Sequence, residues 1–238
     1  MNDLFRHTIQ HDCEKLGIII NNDIIDKFEL YYQMLYKKNK EINLTTITTP
    51  EEAAEKHFID SLSLNHEIKL LSANNIVDIG SGAGFPGLPL KIYNNDLDMT
   101  LVDAVGKKVK FMQQVIQELK LQNVNAIKTR IEDLASICRE KYFVAVSRAV
   151  ADLRVLVEYA LPIVRVSGYV IATKGPNINE EIILADRAIK ILGGEVVNIR
   201  HLTLPISQEN RAIITIKKIK PTPVKYPRKA GIPKKRPL

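Results

Sequence analysis

The chain has 238 residues, of which 45% are hydrophobic and 26% charged. These are ordinary proportions for a globular protein long enough to bury a core without a disulfide or metal staple. Two cysteines, Cys13 and Cys138, exclude a disulfide scaffold and a cysteine-rich zinc site. No uncharged apolar run reaches the ~18 residues of a membrane span, so no membrane partner is expected. The opening MNDLFRHTIQHD carries no apolar signal-peptide core.

Residues 1–72 read as a helical region. Asn22 or Asp23 can cap a helix in which Ile24, Phe28, Tyr31 and Leu35 recur at helical spacing. The Phe28, Tyr31, Tyr32, Tyr36 group reads as helix core rather than a base-stacking platform. Thr49-Pro50-Glu51-Glu52 marks a further helix start, with proline at the first position and acids in the first turn.

From Asn75 onward strands and helices alternate. Strands are expected at Ile76–Ile79, Met99–Val102, Val124–Lys128, Phe143–Ser147, Tyr169–Thr173, Glu195–Leu204 and Ala212–Lys218. Val109, Met112, Ile116 and Leu119 mark an amphipathic helix, and further helices fit Asp152–Val164 and Asn179–Leu192. Such alternation argues for an α/β fold built on an open parallel sheet with helices on both faces, preceded by the N-terminal helical extension. The expected division is 1–72 helical, 73–219 sheet domain and 220–238 tail.

The tail has its own character. From Lys217 to Leu238 there are nine lysines or arginines, five prolines and no acid, which leaves −2 of the chain's net +7 for the rest. Proline disfavours helix, so the segment is expected to be an extended arm, suited to nucleic-acid phosphates or simply solvated. On either reading it leaves a small-ligand site elsewhere untouched.

Most of the functional information lies in Ile76-Val77-Asp78-Ile79-Gly80-Ser81-Gly82-Ala83-Gly84-Phe85-Pro86-Gly87. A buried strand runs into glycines, which let backbone approach a ligand, and then into a helix start with free N–H groups. Gly82-x-Gly84-x-x-Gly87 fits a dinucleotide fingerprint, while Asp78-x-Gly80-x-Gly82-x-Gly84 fits an S-adenosylmethionine (AdoMet) loop. The carboxylate of Asp78 discriminates between them: it is misplaced beside a diphosphate but suits a cofactor with a sulfonium and an ammonium. Asp103, at the end of the second strand, stands where such folds put a carboxylate for ribose hydroxyls. Arg130, Ile131, Glu132, Ser147, Arg148, Lys174 and Gly175 also fall at C-terminal strand ends, the edge where open α/β sheets bind ligands. No Asn/Asp-Pro-Pro-Tyr follows the fourth strand, neither cysteine is placed as a nucleophile, and no general base presents itself. His57 and His66 read as core or solvated residues.

The sequence resembles the RsmG (GidB) family of bacterial AdoMet-dependent 16S ribosomal RNA methyltransferases. The resemblance spans nearly the whole chain. It runs through Asn43-Leu44-Thr45, Lys56-His57-x-x-Asp60-Ser61-Leu62, Asp78 to Gly87, Leu101-Val102-Asp103, Lys107-Lys108-x-x-Phe111, Ser147-Arg148-Ala149, Lys174-Gly175 and the tail Tyr226-Pro227-Arg228-Lys229-Ala230-Gly231-x-Pro233. It implies a class I (Rossmann-like) methyltransferase fold and transfer of a methyl group to N7 of one guanine. It also implies a cytoplasmic location and a 16S RNA or small-subunit partner; a monomer is expected. By this resemblance Asp78, Gly80, Gly82, Gly84 and Phe85 line the AdoMet site, Asp103 meets the ribose, Ile131 and Glu132 flank the adenine, and Arg148 also touches the cofactor. Ile131 stands where the family more often has alanine. Arg148 and Lys174 are the candidates for positioning the guanine or its phosphate. Two other classes of protein compete with this reading. A nicotinamide-dependent oxidoreductase is disfavoured by Asp78, and a non-catalytic RNA-binding protein by the intact glycine loop.

Overall fold

A computed structural model describes residues 2–148 and 151–238. Helix α1 (Asn2–Lys15) is followed by α2 (Asn22–Ile42). The cap of α2 is Asn21, one residue before the expected candidates; its side chain accepts from Ile24 N at 3.0 Å. At the other end Asn43 adopts a left-handed conformation, and Asn39 Oδ1 accepts from Leu44 N and Thr45 N at 2.6 and 2.9 Å. The side chains of Phe28, Tyr31 and Tyr32 are buried. Phe5 stacks on Tyr32 at 4.8 Å, and Phe58 packs edge-on against Phe5 and Tyr31. This aromatic group is helix core, as its spacing indicates.

Thr49 caps the next helical stretch by accepting from Glu52 N at 3.3 Å. That stretch comprises α3 (Pro50–Ala53), a π-helical turn (Ala54–Ile59) and α4 (Asp60–Leu62), with α5 (Asn65–Leu70) after it. The wider π turn has a consequence for the site described below.

The sheet contains β1 (Asn75–Ile79), β2 (Asp98–Asp103), β3 (Val124–Lys128), β4 (Tyr142–Arg148), β5 (Val164–Lys174), β6 (Gly194–Thr203) and β7 (Asn210–Lys218). The intervening helices are α6 (Gly87–Tyr93), α7 (Gly106–Glu118), α8 (Ile131–Ile137), α9 (Leu153–Ala160) and α10 (Ile178–Leu192). Among the described residues the strand order is β3-β2-β1-β4-β5-β7-β6. The expected single strand direction holds for every strand except β7. β7 runs antiparallel to both β5 and β6. The reason is the link: residues 204–209 are too few for a crossover, so β6 and β7 must form a hairpin. Helix α9 also stops at Ala160 rather than Val164, because Pro162 disfavours helix in the residue before it.

Residues alternate between the two faces of the sheet. Ile76, Met99, Leu101, Val144 and Val146 point into one core, which they share with Phe5, Phe28, Tyr31 and Phe58 of the N-terminal helices. Val77, Ile79, Val102, Ala145, Val170 and Ala172 point into the other, covered by α8, α9 and α10. Both faces are covered, as a largely parallel sheet requires.

The tail is not an extended arm. Tyr226, Thr222 and Pro233 are buried, and a short helix α11 (Ile232–Lys235) closes the chain. Arg139 donates to the carbonyls of Thr222, Pro223 and Tyr226 at 2.5, 3.2 and 2.9 Å. Nor are its nine cations unopposed. Arg228 forms a double contact with the fully buried Glu158, and Lys218 is buried against Glu140. The partners that reverse the expectation lie 70 or more residues away in sequence, beyond the reach of local composition.

Candidate functional site

Beyond β1 the chain turns through Gly80, Gly82 and Gly84, all with positive φ. Ser81 fastens the turn. Its backbone N–H and that of Gly80 both donate to Val102 O, and its hydroxyl donates to Asp78 O and accepts from Val102 N. The glycines serve different ends. A Cβ on Gly84 would lie 2.5 Å from both Tyr31 Oη and Leu88 Cδ1, and one on Gly87 would overlap Leu101 and crowd Asp78 Oδ2. A Cβ on Gly82 would meet nothing nearer than Gly80 O at 4.0 Å. Packing therefore requires glycine at 84 and 87. At 82 the left-handed backbone favours it, and the space beside it is open for a ligand.

Asp78 is fully buried within β1. Its Oδ2 accepts from Gly87 N at 2.9 Å, tying the strand to the start of α6, and its Oδ1 has no partner among the described residues. Burial raises its pKa to about 7, against the lowering effects of the Gly87 N–H, Ser81 and the charge of Arg148. Asp103 accepts from Gly82 N at 3.0 Å with Oδ2 and from Val105 N at 2.7 Å with Oδ1, linking the glycine turn to the entry of α7.

Two cavities flank this centre. One, of about 220 Å³, lies over the ends of β1 and β2. Gly80, Asp103, Ile131 and Glu132 line it together with Tyr159, Gly231 and Lys234. Four of the expected cofactor residues therefore converge. The tail, expected to lie apart from any small-ligand site, forms part of the wall. The other cavity, of about 750 Å³, lies at the ends of β4 and β5 and contains Arg148 and Lys174. Arg148 does not line the first cavity. Its Nη1 donates to Lys56 O at 2.6 Å, taking a carbonyl that the π-helical turn presents, and stands 3.5 Å from Asp60 Oδ2. Lys174 Nζ donates to Ala151 O and Glu181 Oε2 at 2.5 and 2.8 Å. Ala149, the last residue of the Ser147-Arg148-Ala149 motif, lies outside the described residues.

Phe85, which follows the glycine turn, packs against His57 and Arg148 of the second cavity. Its ring stacks on Tyr31 at 5.2 Å and on His57 at 4.5 Å, and the Arg148 guanidinium lies 5.3 Å from its centroid. Tyr31 Oη donates to Ala83 O at 2.5 Å, so the N-terminal helices hold the glycine turn directly. Sequence reasoning gave neither Tyr31 nor His57 a role beyond packing. Helical spacing marks Tyr31 as buried but cannot show what its hydroxyl reaches, 52 residues away.

His57 is held neutral. Burial, then the charge of Arg148, depresses its pKa to about 3. Arg148 Nη2 lies 3.3 Å from Nδ1 and can only donate, so Nδ1 accepts and the proton sits on Nε2, facing Thr45 Oγ1 at 2.8 Å. The folded-state pKa is below the unfolded value. Its contribution to stability is therefore complete above about pH 6.5 and is lost as pH falls toward 3. In a 15N-imidazole NMR titration His57 should keep the neutral, Nε2-protonated pattern from pH 8 to pH 5. A midpoint near 6.5 would show that the stack on Phe85 is open in solution.

The strand order with its reversed β7, the glycine turn after β1 and the acid at the end of β2 together define a class I, Rossmann-like methyltransferase. Two solved structures share this fold. An rRNA methylase from Streptococcus thermophilus aligns with a TM-score of 0.50 at 14% identity, over 67% of this chain and 97% of that one. The YcgJ protein from Bacillus subtilis aligns at 0.52 and 14%, over 68% and 99%. The chain belongs to the GidB family, rRNA small subunit methyltransferase G, whose model matches residues 24–213. Ribosomal RNA small subunit methyltransferase G of Desulforamulus reducens is 46% identical over the full length of both chains. Its counterpart in Alkaliphilus metalliredigens is 45% identical over 97% of each.

Proposed function

We propose that the protein transfers a methyl group from AdoMet to N7 of a guanine in 16S ribosomal RNA. The observation that carries this reading is the pair of cavities at the C-terminal edge of the sheet, one over the ends of β1 and β2 and one at the ends of β4 and β5, in a chain of this family. The first cavity suits the nucleoside portion of AdoMet. The carboxylate of Asp103 and the Ile131–Glu132 turn supply acceptors for a nucleoside there, and Gly82, beside that cavity's Gly80, has an open side for the rest of the ligand. Asp78 places a buried carboxylate behind the turn, apt for a ligand of net positive charge. When bound, AdoMet supplies an electrophilic methyl on a cationic sulfonium.

The chain's own residues have mostly to position the acceptor. Guanine N7 carries a lone pair and loses no proton on methylation, so no general base is needed. The second cavity matches this demand. Its cations are paired internally: Lys56 with Glu209, Arg211 with Glu209 and Asp60, and Lys174 with Glu181. Such a site presents both signs of charge to a base that has donors and acceptors and becomes cationic. In this reading the region 1–72 supplies Lys56, His57 and Asp60 to the acceptor side, and 73–219 supplies the cofactor side. Arg148 orients the π turn beneath the acceptor, and Lys174 shapes its outer wall. Lys107, Lys110 and Lys128 line a further hollow of about 560 Å³ near the cofactor side. Their positive charge suits the RNA phosphates. The setting for this activity is the cytoplasm, and the acting form is a monomer.

Labelled AdoMet offered with naked 16S RNA, 30S subunits and assembly intermediates tests the reading, with the modified base located by cleavage at 7-methylguanine. At saturating AdoMet and RNA, the rate should change less than about threefold between pH 8 and pH 6, because no low-pKa base must be ionised. A tenfold fall per pH unit with binding intact would reveal a catalytic base and overturn N7 as the acceptor.

A further inference from the structure

The C-terminal tail is docked where a simple phosphate-binding arm would not need to be. Arg228, through Nε, Nη2 and its backbone N, grips both oxygens of Glu158 on α9, whose side chain is fully buried. Arg139 gathers three tail carbonyls, and Tyr226 joins the core beneath α9 and α10. These anchors deliver Gly231 to Glu132. Gly231 has φ +83° and donates its N–H to Glu132 Oε1 at 3.2 Å. Lys234, one turn on, completes the outer wall of the 220 Å³ cavity and forms no ion pair among the described residues. Tyr159 of α9 lines the same cavity, and its phenol is pushed up to about 12 by burial and then by the nearby charge of Glu132.

Resting on the reading of this cavity as the AdoMet site, we propose that the segment 229–238 is itself part of that site. Gly231 holds the Glu132 carboxylate in place for the nucleoside, and Lys234 closes the pocket from outside. A carboxylate on the first turn of a short surface helix has several rotamers. A backbone N–H from a segment anchored on α9 selects one of them, so less ordering remains to be done when a ligand arrives. The ammonium of Lys234 adds a donor on a side of the pocket otherwise open to water, matched to the acceptors of an adenosine. The basic tail thereby couples the two substrates: a segment whose remaining cations suit RNA also forms a wall of the cofactor pocket.

The test is calorimetric titration of AdoMet into the full chain, a variant ending at Arg228, and Lys234→Ala. The shortened variant retains Tyr226, Arg228 and the Arg139 contacts, so its melting temperature should stay within a few degrees of the full chain. Its AdoMet affinity should fall at least 10-fold, and that of Lys234→Ala about threefold. Trypsin cleavage after Lys229, Lys234 and Lys235 in the full chain should slow when AdoMet saturates it. If the full chain binds AdoMet and both variants bind equally well, with cleavage unchanged by ligand, the proposal is overturned and the cofactor reading stands. If the full chain does not bind AdoMet, the cofactor reading falls and takes the proposal with it. Should the shortened variant fail to fold, Lys234→Ala and the protease rates decide.

Discussion

Valine at position 82 is expected to lower AdoMet affinity at least ~10-fold, which is about 1.4 kcal/mol, while the chain still melts cooperatively. The side chain would project into the open space beside Gly80 O rather than into protein. Left-handed backbone at φ +60° costs a β-branched residue about 1–2 kcal/mol, so a melting temperature lower by several degrees is expected as well. Gly84→Val and Gly87→Val should behave differently. At 84 the new side chain meets Tyr31 and Leu88, and at 87 it meets Leu101 and the Asp78 carboxylate, all within the packed interior. Overpacking of that kind costs about 1–3 kcal/mol or more, and at 84 it also disturbs the Tyr31–Ala83 hydrogen bond. These two variants should lose stability first and affinity only as a consequence. Calorimetry with thermal melts on all three separates the cases. Unchanged affinity in Gly82→Val, or native melting in Gly84→Val and Gly87→Val, would show that this division of labour is wrong.

The same loop shows which parts of the molecule local sequence can reveal. A buried-strand run ending in closely spaced glycines is a local signal, and it marks the turn and the strand before it; the acid at the end of β2 is marked by its own strand end. The existence of each strand is legible for the same reason, but not every boundary: β5 begins at Val164, five residues before the expected Tyr169 and at the residue read as the end of a helix. Strand direction was not legible: the reversal of β7 follows from a six-residue link that alternation alone treats like any other loop. Interactions between distant segments were least legible. Arg148 reads as a ligand-edge residue because it ends a strand, and as a cofactor residue only through the family resemblance. What neither reading reveals is that its guanidinium reaches the backbone of Lys56, 92 positions earlier, where a π turn leaves that carbonyl available. The tail reads as an extended arm from its prolines and charges, yet Glu158 and Arg139 bind it down. Neither partner is marked by anything in its own neighbourhood of sequence.

Replacing Asp78 by asparagine should separate stability from cofactor binding. In the folded chain burial holds the Asp78 carboxyl near pH 7, well above its ordinary 3.8. A proton is therefore retained on folding between those two values. This group's contribution to stability is largest below about pH 4 and declines as pH rises to about 7. A shift of this size amounts to roughly 4 kcal/mol at about 1.4 per unit, an order-of-magnitude figure for so buried a group. Asparagine cannot ionise and has no such decline. Its amide oxygen can still accept from Gly87 N, while its NH2 faces the place where Oδ1 has no partner. That mismatch sets a constant offset and does not alter the slope. In urea melts at pH 5, 6, 7 and 8, the stability of Asp78→Asn relative to the parent should rise with pH up to about 7 and level off toward pH 8. AdoMet binding should respond in the opposite sense. A ligand of net positive charge favours the ionised carboxylate, so the parent's affinity should grow with pH up to about 7. The variant should bind at least ~10-fold more weakly at pH 8, with little dependence on pH. Parallel stability curves for the two proteins would mean that Asp78 is already ionised at pH 5. Equal AdoMet affinity at pH 8 would mean that the buried charge serves the loop alone.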